Sequence, residues 1–438
     1  MNSKRRVLWR FLKFSAVGFV NTAFQIILFY LLNTNLGIHY LISQTLAFVA
    51  VTIVTFGINK YWTFENKVDE IPKQLFLYYF FRVISLSITL VQTWLLVTYL
   101  QISPLLCQLT SIIINATLNF IFDLIFVFIP PRKPLEYFIE VSKCHFMNLM
   151  PDKKININYI IPLFKEQNRL FPKSFKNPNG EDFIKVKIEQ LEELFPLNEN
   201  FDWKIIFIDD GDFQFKSGSL ALDYLKQNYL QMLDDKKVEV WFLEELSPEI
   251  VKKSQKGGAV ITAFKSICQN NPNNNDDILI YTDADISTDL RLTGSLIAPL
   301  YNGSDICISS RWHELSSVAN RGFKQKLSSW IYNLFVYFFL GLDYSDTQNG
   351  FKAFKSETVK DILPYLTDIS FAFDTEILMV SEINNKKIKE IPIYWEDSSK
   401  ETNVDLLRDP FRMSISIFRQ SKYRKRLLKE NERQKMGM

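Results

Sequence analysis

From Phe14 to Asn59 the chain carries no Asp, Glu, Lys or Arg. A helix rises about 1.5 Å per residue, so roughly 20 apolar residues cross a hydrocarbon core of about 30 Å. The charge-free run is long enough for two crossings. Spans are expected at about 11–32 and 40–59, divided at Asn33-Thr34-Asn35-Leu36-Gly37. Two further apolar stretches, at about 75–99 and 104–128, divide near Ser103-Pro104. Buried globular helices are the alternative for any one of them, but four in succession predict a membrane unit over 1–130. Of the 438 residues, 47% are hydrophobic and 38 are Phe, yet 23% are charged. That mixture requires the two kinds of sequence to be segregated along the chain.

Basic residues set the expected orientation. Lys4, Arg5, Arg6, Arg10 and Lys13 precede the first span, Lys60, Lys67 and Lys73 lie between the second and third, and Arg132, Lys133 and Lys143 follow the fourth. The other two loops have no Lys or Arg. Both termini, and everything after residue 130, are therefore expected in the cytoplasm, with the chain integral to the plasma (inner) membrane. The first apolar stretch is too long, and lacks the small-residue pattern, for a cleavable signal. Two charges fall inside spans, Arg82 and Asp123. Such residues pair or serve function, so an ion pair or a contact of Arg82 with a lipid phosphate is expected. Snorkelling of Arg82 to the interface is the alternative.

The halves of this unit look repeated. Phe56-Gly-Ile-Asn-Lys-Tyr-Trp-Thr-Phe64 aligns with Phe120-Ile-Phe-Asp-Leu-Ile-Phe-Val-Phe128 at an offset of 64 (120 − 56). Aromatic belts at span ends could produce the same pattern. The stretch Arg10-Phe-Leu-Lys-Phe-Ser-Ala-Val-Gly18, with Asn59-Lys60-Tyr61-Trp62-Thr63-Phe64, resembles the GtrA-like family. These are small four-span proteins proposed to anchor or flip polyprenyl-phosphate sugars, and the resemblance covers about 10–128. Pro130-Pro131-Arg132-Lys133-Pro134 then stops the last span. A linker over 131–155 follows, in which Leu135–Met150 is an amphipathic piece suited to a membrane surface.

Over 156–400 short apolar runs alternate with helical stretches, the pattern of an α/β fold with a mostly parallel sheet. Strands are expected at Ile157–Ile161, Lys204–Ile208, Val238–Phe242, Ile278–Tyr281, Asp305–Ser309, Gly350–Phe354 and Ile391–Tyr394. The fourth ends on Asp283-Ala284-Asp285. Two carboxylates leaving one side of a strand end suit Mg2+ or Mn2+, hard ions bound by one or two carboxylates plus substrate phosphates. A polar strand end, with Ser287 or Asp289 capping the next helix, reads equally well. Other polar clusters also follow strands: Pro162-Leu163-Phe164-Lys165-Glu166, Asp209-Asp210-Gly211-Asp212, and Lys256-Gly257-Gly258-Ala259 at a helix start. In the last, small residues let backbone N–H groups approach an anion. Taken singly, each is also a turn or a cap.

In this order they resemble glycosyltransferase family 2, whose nucleotide-sugar domain has the GT-A (Rossmann-like) fold. Pro162, Phe164 and Glu166 fit its first motif, with Lys165 in place of Asn. Asp209, Asp210 and Gly211 fit the second, with Asp212 in place of Ser. Gln255-Lys256-Gly257-Gly258-Ala259 fits the third without its first Gly. Asp283-Ala284-Asp285 and Ser309-Ser310-Arg311 follow. Asp346-Thr-Gln-Asn-Gly-Phe-Lys352, Phe373-Asp374-x-Glu376 and Glu390-Ile-Pro-Ile-x-Trp395 point to the dolichyl- and polyprenyl-phosphate glucosyltransferase subgroup. A loop over 170–200, with Asn177-Pro178-Asn179-Gly180, is longer than usual.

The resemblance implies a hexosyltransferase that moves glucose from UDP-glucose to a polyprenyl phosphate with inversion. It implies that Asp209 and Asp210 bind the nucleotide, with Pro162, Glu166, Gly257, Ala284 and Lys352 lining the donor site and Lys256 near the phosphates. Asp283 and Asp285 would hold the metal. Arg311 and Arg321 would dock the acceptor phosphate, with Asp346 and Gln348 orienting them or the sugar. Two rivals are a lipid-linked sugar flippase whose second domain only binds, and a family 2 enzyme using GDP-mannose or a non-lipid acceptor.

The greasy helix Leu327–Leu342 is read as dipping into the bilayer surface, with a core helix as the alternative. Residues 408–438 hold ten Lys/Arg against three Asp/Glu, a basic amphipathic tail suited to anionic lipid. A net charge of +3 implies no nucleic-acid partner. Four scattered cysteines and three His form no disulfide framework or zinc spacing. A homo-oligomer is left open.

Overall fold

The structure is a computed structural model that describes residues 3–435, apart from 69, 103, 129–131, 212–215, 252, 253, 255, 271–274 and 398–407. Asp212, Gln255, Pro130 and Pro131 lie outside the described residues, as do the side chains of Lys4, Arg5, Arg6, Cys107, Arg408 and Arg412. The chain divides into two compact units, Met1–Pro131 and Arg132–Met438.

The first unit is helical: α1 (Ser3–Tyr30), α2 (Tyr40–Ile58), α3 (Ile71–Thr98) and α4 (Pro104–Phe122). Among the described residues three stretches are long and apolar enough to cross a membrane, Trp9–Asn35, Leu46–Thr63 and Ile71–Thr98. The fourth expected span appears as a shorter apolar stretch, Ile112–Val127. Pro72 sits in the first turn of α3, where a missing N–H leaves no bond unmade.

Helices α2 and α4 each continue into a π turn, Asn59–Thr63 and Asp123–Val127. These turns are offset by 64 (123 − 59), the spacing of the sequence repeat. Rings from the two halves pack together. Phe64 stacks on Phe128 at 4.8 Å, Phe56 lies 5.6 Å from Phe128, and Phe64 lies 5.8 Å from Phe120. Of the readings for Arg82, the ion pair forms: its guanidinium donates to both oxygens of the buried Asp123, at 3.2 and 2.7 Å. It also lies 3.9 Å from the Tyr78 ring. Asn59, the repeat mate of Asp123, donates to the Tyr78 hydroxyl at 3.3 Å. The two equivalent positions therefore converge on one turn of α3.

The second unit opens with α5 (Leu135–Met147). The sequence suggested a piece lying along a membrane surface. Instead Phe138, Ile139 and Phe146 are buried in this unit's own core. The Ser142 hydroxyl donates to the Arg291 carbonyl at 2.6 Å. The amphipathic face of α5 is thus real, and what covers it is protein.

In chain order come β1 (Ile155–Leu163), α6 (Phe183–Leu194), β2 (Phe201–Asp209), α7 (Ser217–Asn228), α8 (Leu230–Asp234), β3 (Val238–Phe242) and α9 (Leu243–Leu246). Then follow α10 (Lys256–Asn270), β4 (Ile278–Thr282), α11 (Thr293–Tyr301), β5 (Ile306–Ser310), β6 (Ser317–Ala319), α12 (Phe323–Leu340) and β7 (Phe351–Lys355). The chain ends with α13 (Ser356–Ile362), α14 (Phe373–Ile383), β8 (Ile388–Pro392), β9 (Tyr394–Glu396) and α15 (Arg408–Lys435).

Seven strands form one sheet in the order β3-β2-β1-β4-β7-β5-β8. β7 runs antiparallel to both of its neighbours, and the other pairs are parallel. The expected α/β, Rossmann-like fold forms, with this one reversal in the sheet. Both faces are covered, and the central strand β4 (Ile-Leu-Ile-Tyr-Thr) is buried along its whole length. Ile278 and Ile280 of β4 enter one core with α5, α6, α7 and α11, while Leu279 and Tyr281 enter the other with α10, α12 and α14.

Helix α12 packs one face into the core, as the core-helix alternative requires, and leaves an apolar face exposed. Tyr332, Val336 and Leu340 are buried in the core, while Ile331, Leu334, Phe335, Phe338 and Phe339 are exposed. The basic tail is helical, and its apolar side is used. Ile417 and Leu427 are buried, and the Phe418 ring lies 4.5 Å from Phe339.

Candidate active site

The site lies at the carboxyl ends of the central strands, where open α/β sheets bind ligands. β4 ends at Thr282, and the next residues place the Asp283 and Asp285 side chains partly open to solvent, with Ala284 buried between them. The capping alternative is met by one residue: Asp289 accepts the Arg291 N–H at 2.8 Å. Asp285 turns back on its own loop through one oxygen, which accepts the Ser287 N–H at 3.2 Å. Burial and the neighbouring Asp283 carboxylate push its pKa up. Burial also acts on Asp283, but the Lys256 ammonium, 2.5 Å from Oδ1, outweighs it and holds that carboxyl low.

These residues fit a divalent cation. Two like-charged carboxylates two residues apart in one loop repel, and a shared cation relieves the repulsion. Among the described residues no group of three or more His, Cys, Asp or Glu surrounds them. A bound ion would therefore take its other ligands from water and phosphate oxygens, the habit of Mg2+. Gly350 makes room: a Cβ there would come within 2.1 Å of Asp283 Oδ2. The Gly350 carbonyl also accepts the Asp283 N–H at 3.2 Å. Gly350→Ala should therefore leave folding intact and displace the carboxylate. A shift of about 1 Å can cost roughly a hundredfold in turnover. That loss is expected in the transfer rate, with unchanged circular dichroism and melting; full activity would show that Asp283 need not sit where it does.

Lys256 opens α10 as expected, but the glycines after it serve packing. A Cβ on Gly257 would meet the Ser370 carbonyl at 2.5 Å, and the Gly258 N–H donates to the Ile369 carbonyl at 3.2 Å. Lys352 is also placed otherwise than a donor-lining residue requires. It is wholly buried, donating to Asp374 at 2.5 Å, the Asn349 carbonyl at 2.6 Å and the Tyr281 hydroxyl at 3.1 Å. Its role is to support the floor beneath Lys256 and Asp283. Burial pushes Asp374 up to about 7, against the opposing pull of Lys256.

Asp209 and Asp210 sit at the end of β2, both buried. Asp209 organises its own turn, accepting the Gly211 N–H at 2.8 Å and the Gly218 N–H at 2.5 Å. Pro162 is inside β1, paired with Ile208. Lys165 adopts φ +58°, a left-handed conformation that Asn enters more readily. The turn survives the departure from the family's Asn. Glu166 lies beside Arg169 at 3.2 Å, and burial pushes its pKa up to about 8.

The arginines form a second cluster. The Arg311 Nε and Nη2 donate to the two oxygens of the fully buried Asp346, at 2.7 and 3.0 Å. Glu390 fixes that loop by accepting the Ser345 and Asp346 N–H groups at 2.9 and 3.1 Å. Gln348 Nε2 donates to Thr375 Oγ1 at 3.1 Å, behind the site. Arg321 is different. Its guanidinium lies 5.5 Å from the Trp312 ring and 5.9 Å from the Trp395 ring, and no hydrogen bond to a carboxylate is found for it among the described residues. Burial, then repulsion by Arg311, lowers its pKa to about 9. A half-buried cation held between aromatic faces beside a second arginine is ready for an anion.

Residues 13–128 match the family model described as GtrA/DPMS, transmembrane domain. The first unit is a GtrA/DPMS transmembrane domain. The chain is 27% identical over 266 residues to glycosyltransferase AglD of Haloferax volcanii, covering 60% of this chain and 37% of that one. It thus spans little more than a third of that relative. It is 28% identical over 283 residues to the dolichyl-phosphate beta-glucosyltransferase of Drosophila melanogaster, 62% of this chain and 78% of the relative. The Homo sapiens protein of the same name is 26% identical over 254 residues, 56% and 68% of the two chains. Among solved structures, glucosyl-3-phosphoglycerate synthase of M. tuberculosis aligns over 68% of this chain and 86% of its own, at 14% identity and a TM-score of 0.41. Both resemblances read from the sequence are thus met, the GtrA-like one by the domain model and the glycosyltransferase one by the named relatives.

Proposed function

We propose that this protein is a membrane-bound hexosyltransferase that moves glucose from UDP-glucose to a polyprenyl phosphate at the cytoplasmic leaflet. The observation that carries the reading is the pairing of two clusters in one unit. One is Asp283 and Asp285 with Lys256, suited to a cation-bridged diphosphate. The other is Arg321, with Arg311 behind it, suited to a phosphate monoester. The names of the relatives supply the lipid acceptor and the glucose.

A bound Mg2+ or Mn2+ would supply Lewis-acid stabilisation of the departing diphosphate. The chain's own residues do the rest. Lys256 places positive charge beside the diphosphate, and Arg321 docks the acceptor. The acceptor's second pKa is about 6, so it is mostly dianionic at neutrality and needs no strong base. One of its oxygens attacks the sugar's anomeric carbon as the bond to UDP breaks. A single displacement inverts an α-linked donor to a β-linked lipid-phosphate glucose. The exposed apolar face of α12 and the basic α15 would rest on the bilayer.

The test is transfer by the purified full-length protein from a panel of sugar nucleotides to radiolabelled polyprenyl phosphate. UDP-glucose should be preferred, and Arg321→Met should raise the acceptor KM roughly tenfold or more while barely changing the donor KM. Preference for GDP-mannose would overturn the glucose assignment. Binding of donor without turnover would favour a translocation role, and transfer to soluble acceptors after removal of 1–130 would remove the lipid.

A further inference from the structure

The tail helix α15 has two faces, and only one of them is used by the proposed function. Arg419, Lys422, Lys425, Arg426 and Lys429 are exposed, as a lipid-facing surface requires. Ile417, Gln420 and Leu427, at helical spacing, are buried. The glutamine stands out in that set, because a buried amide is unfavourable unless it is bonded. Its Nε2 donates to Asp368 Oδ2 at 2.8 Å and to the Ala372 carbonyl at 3.0 Å. Its Oε1 has no hydrogen-bond partner among the described residues. The amino group is therefore what holds Gln420 inside.

The two acceptors are the ends of one turn. Residues 366–372, which lead into α14, are neither helix nor strand. Side chains shape them instead. Glu376 accepts the Thr367 and Asp368 N–H groups at 2.8 and 2.7 Å, and Asp368 accepts the Ser370 N–H at 2.9 Å. The Gln420 amide then ties Asp368 to Ala372 across the turn. The first turn of α10 rests on this segment. The Gly258 N–H donates to the Ile369 carbonyl at 3.2 Å. A Cβ on Gly257 would come within 2.9 Å of the Asp368 carbonyl and 2.5 Å of the Ser370 carbonyl. The residue just before these glycines is Lys256. Directly after the turn, Phe373 and Asp374 open α14, and the Lys256 ammonium lies 6.0 Å from the Phe373 ring and 3.9 Å from Asp374 Oδ2. The backbone that carries Lys256 and two of the side chains around its ammonium are thus set by the turn that Gln420 closes.

We propose that Gln420 is a positioning residue for Lys256, which makes the tail helix part of the donor's diphosphate site as well as a lipid-facing surface. Its amide holds the 368–372 turn against the start of α10 and keeps the Lys256 ammonium where the diphosphate arrives. This rests on Lys256 meeting the donor's diphosphate, as proposed above.

The test is binding of UDP, with Mg2+ present, to the full-length protein in detergent, together with transfer kinetics. Gln420→Met keeps the length of the side chain and removes the donor. It should weaken UDP binding and raise the donor KM, each about tenfold, the scale of losing one hydrogen bond to a charged group. The acceptor KM should stay within about twofold, because Lys256 serves the donor alone. Gln420→Asn keeps an amide that falls one methylene short. It should give a smaller loss of the same kind, and serves if the methionine variant does not fold. Tyr423→Phe removes another bond from the same helix, to the Tyr365 carbonyl at 3.0 Å and outside the turn. It should leave UDP affinity within about twofold, since only the turn reaches Lys256. In a Lys256→Met background, Gln420→Met should add less than about twofold, because the two residues act as a unit. Unchanged UDP affinity and donor KM in both Gln420 variants, even with a lowered melting temperature, would overturn the proposal and leave Gln420 a packing contact of the tail. Full additivity with Lys256→Met would overturn it as well. Failure of the unaltered protein to bind either UDP or GDP would instead bring down the donor reading, and the proposal with it.

Discussion

Asp285→Ala should lower sugar transfer by about a thousandfold or more, the scale on which charge-stabilising groups act at a reacting centre. The choice of Asp285 over its neighbour follows from their partners. Asp283 already has a cation, Lys256 at 2.5 Å, and its backbone is bound to Gly350. Losing its carboxylate frees Lys256 to approach the diphosphate, so part of the positive charge at the site is kept. Among the described residues, the hydrogen bond found to the Asp285 side chain is the Ser287 N–H on one oxygen. Its carboxylate is raised by burial and by Asp283, so its ionised form is held at a cost that binding would repay. Removing it relieves that repulsion. The variant should therefore melt no lower than the unaltered protein while losing Mn2+ binding and turnover together. Radiolabelled transfer, Mn2+ binding by electron paramagnetic resonance and thermal melting on the same preparation check this. Retained turnover with lost Mn2+ binding would mean that Lys256 and the arginines act without a cation.

The strands were legible because a sheet covered on both faces needs unbroken apolar runs, and Ile278–Tyr281 followed by two aspartates cannot be mistaken for a solvent-facing strand. The direction of β7 was not legible. Phe351–Lys355 mixes apolar residues with Lys352 and Lys355, a pattern that carries no direction, and its reversal depends on where the chain returns from α12. The Asp-x-Asp loop with Lys256 could be read from order and spacing. The setting of Arg321 could not, because Trp395 reaches it from a distant part of the chain, while Trp312 is nine residues away with no local spacing rule that brings the two together. Lys352 looked like a ligand contact because a lysine in a motif is ordinarily solvated, whereas here Asp374, Tyr281 and Asn349 enclose it. The burial of Lys187 left a usable signal. Ile184, Lys187, Ile188 and Leu191 follow helical spacing, which puts this lysine on the apolar stripe, while Lys185 on the same helix is exposed. In the first unit the repeat of 64 was visible, but the π turns that start at both of its equivalent positions have no sequence signature of their own.

Arg82→Leu and Asp123→Asn should each destabilise the GtrA/DPMS domain by roughly 3–5 kcal/mol, the cost of stranding one partner of a buried ion pair. The geometry selects this pair over others in the chain. Asp123 is fully buried, both of its oxygens are taken by Arg82, and Tyr78 covers the guanidinium at 3.9 Å. Surface pairs such as Lys73 with Glu70 lie in water, where such contacts contribute little. The repeat sharpens the expectation. Asn59 holds the equivalent position in the other half and is satisfied without a charge, donating to the Tyr78 hydroxyl at 3.3 Å and accepting the Thr63 hydroxyl at 3.0 Å. Asp123→Asn therefore brings the halves closer in sequence, yet it should destabilise, because among the described residues Arg82 pairs with no other carboxylate. Joining Arg82→Leu to Asp123→Asn removes both charges and should recover most of the loss. Melting of the full-length protein in detergent, with the domain's transition followed separately, distinguishes the cases. Single variants should fall by on the order of ten degrees, and the double variant should lie close to the original. Additive losses would show that the two side chains act apart, and that α3 and α4 are held by their aromatic contacts rather than by this charge pair.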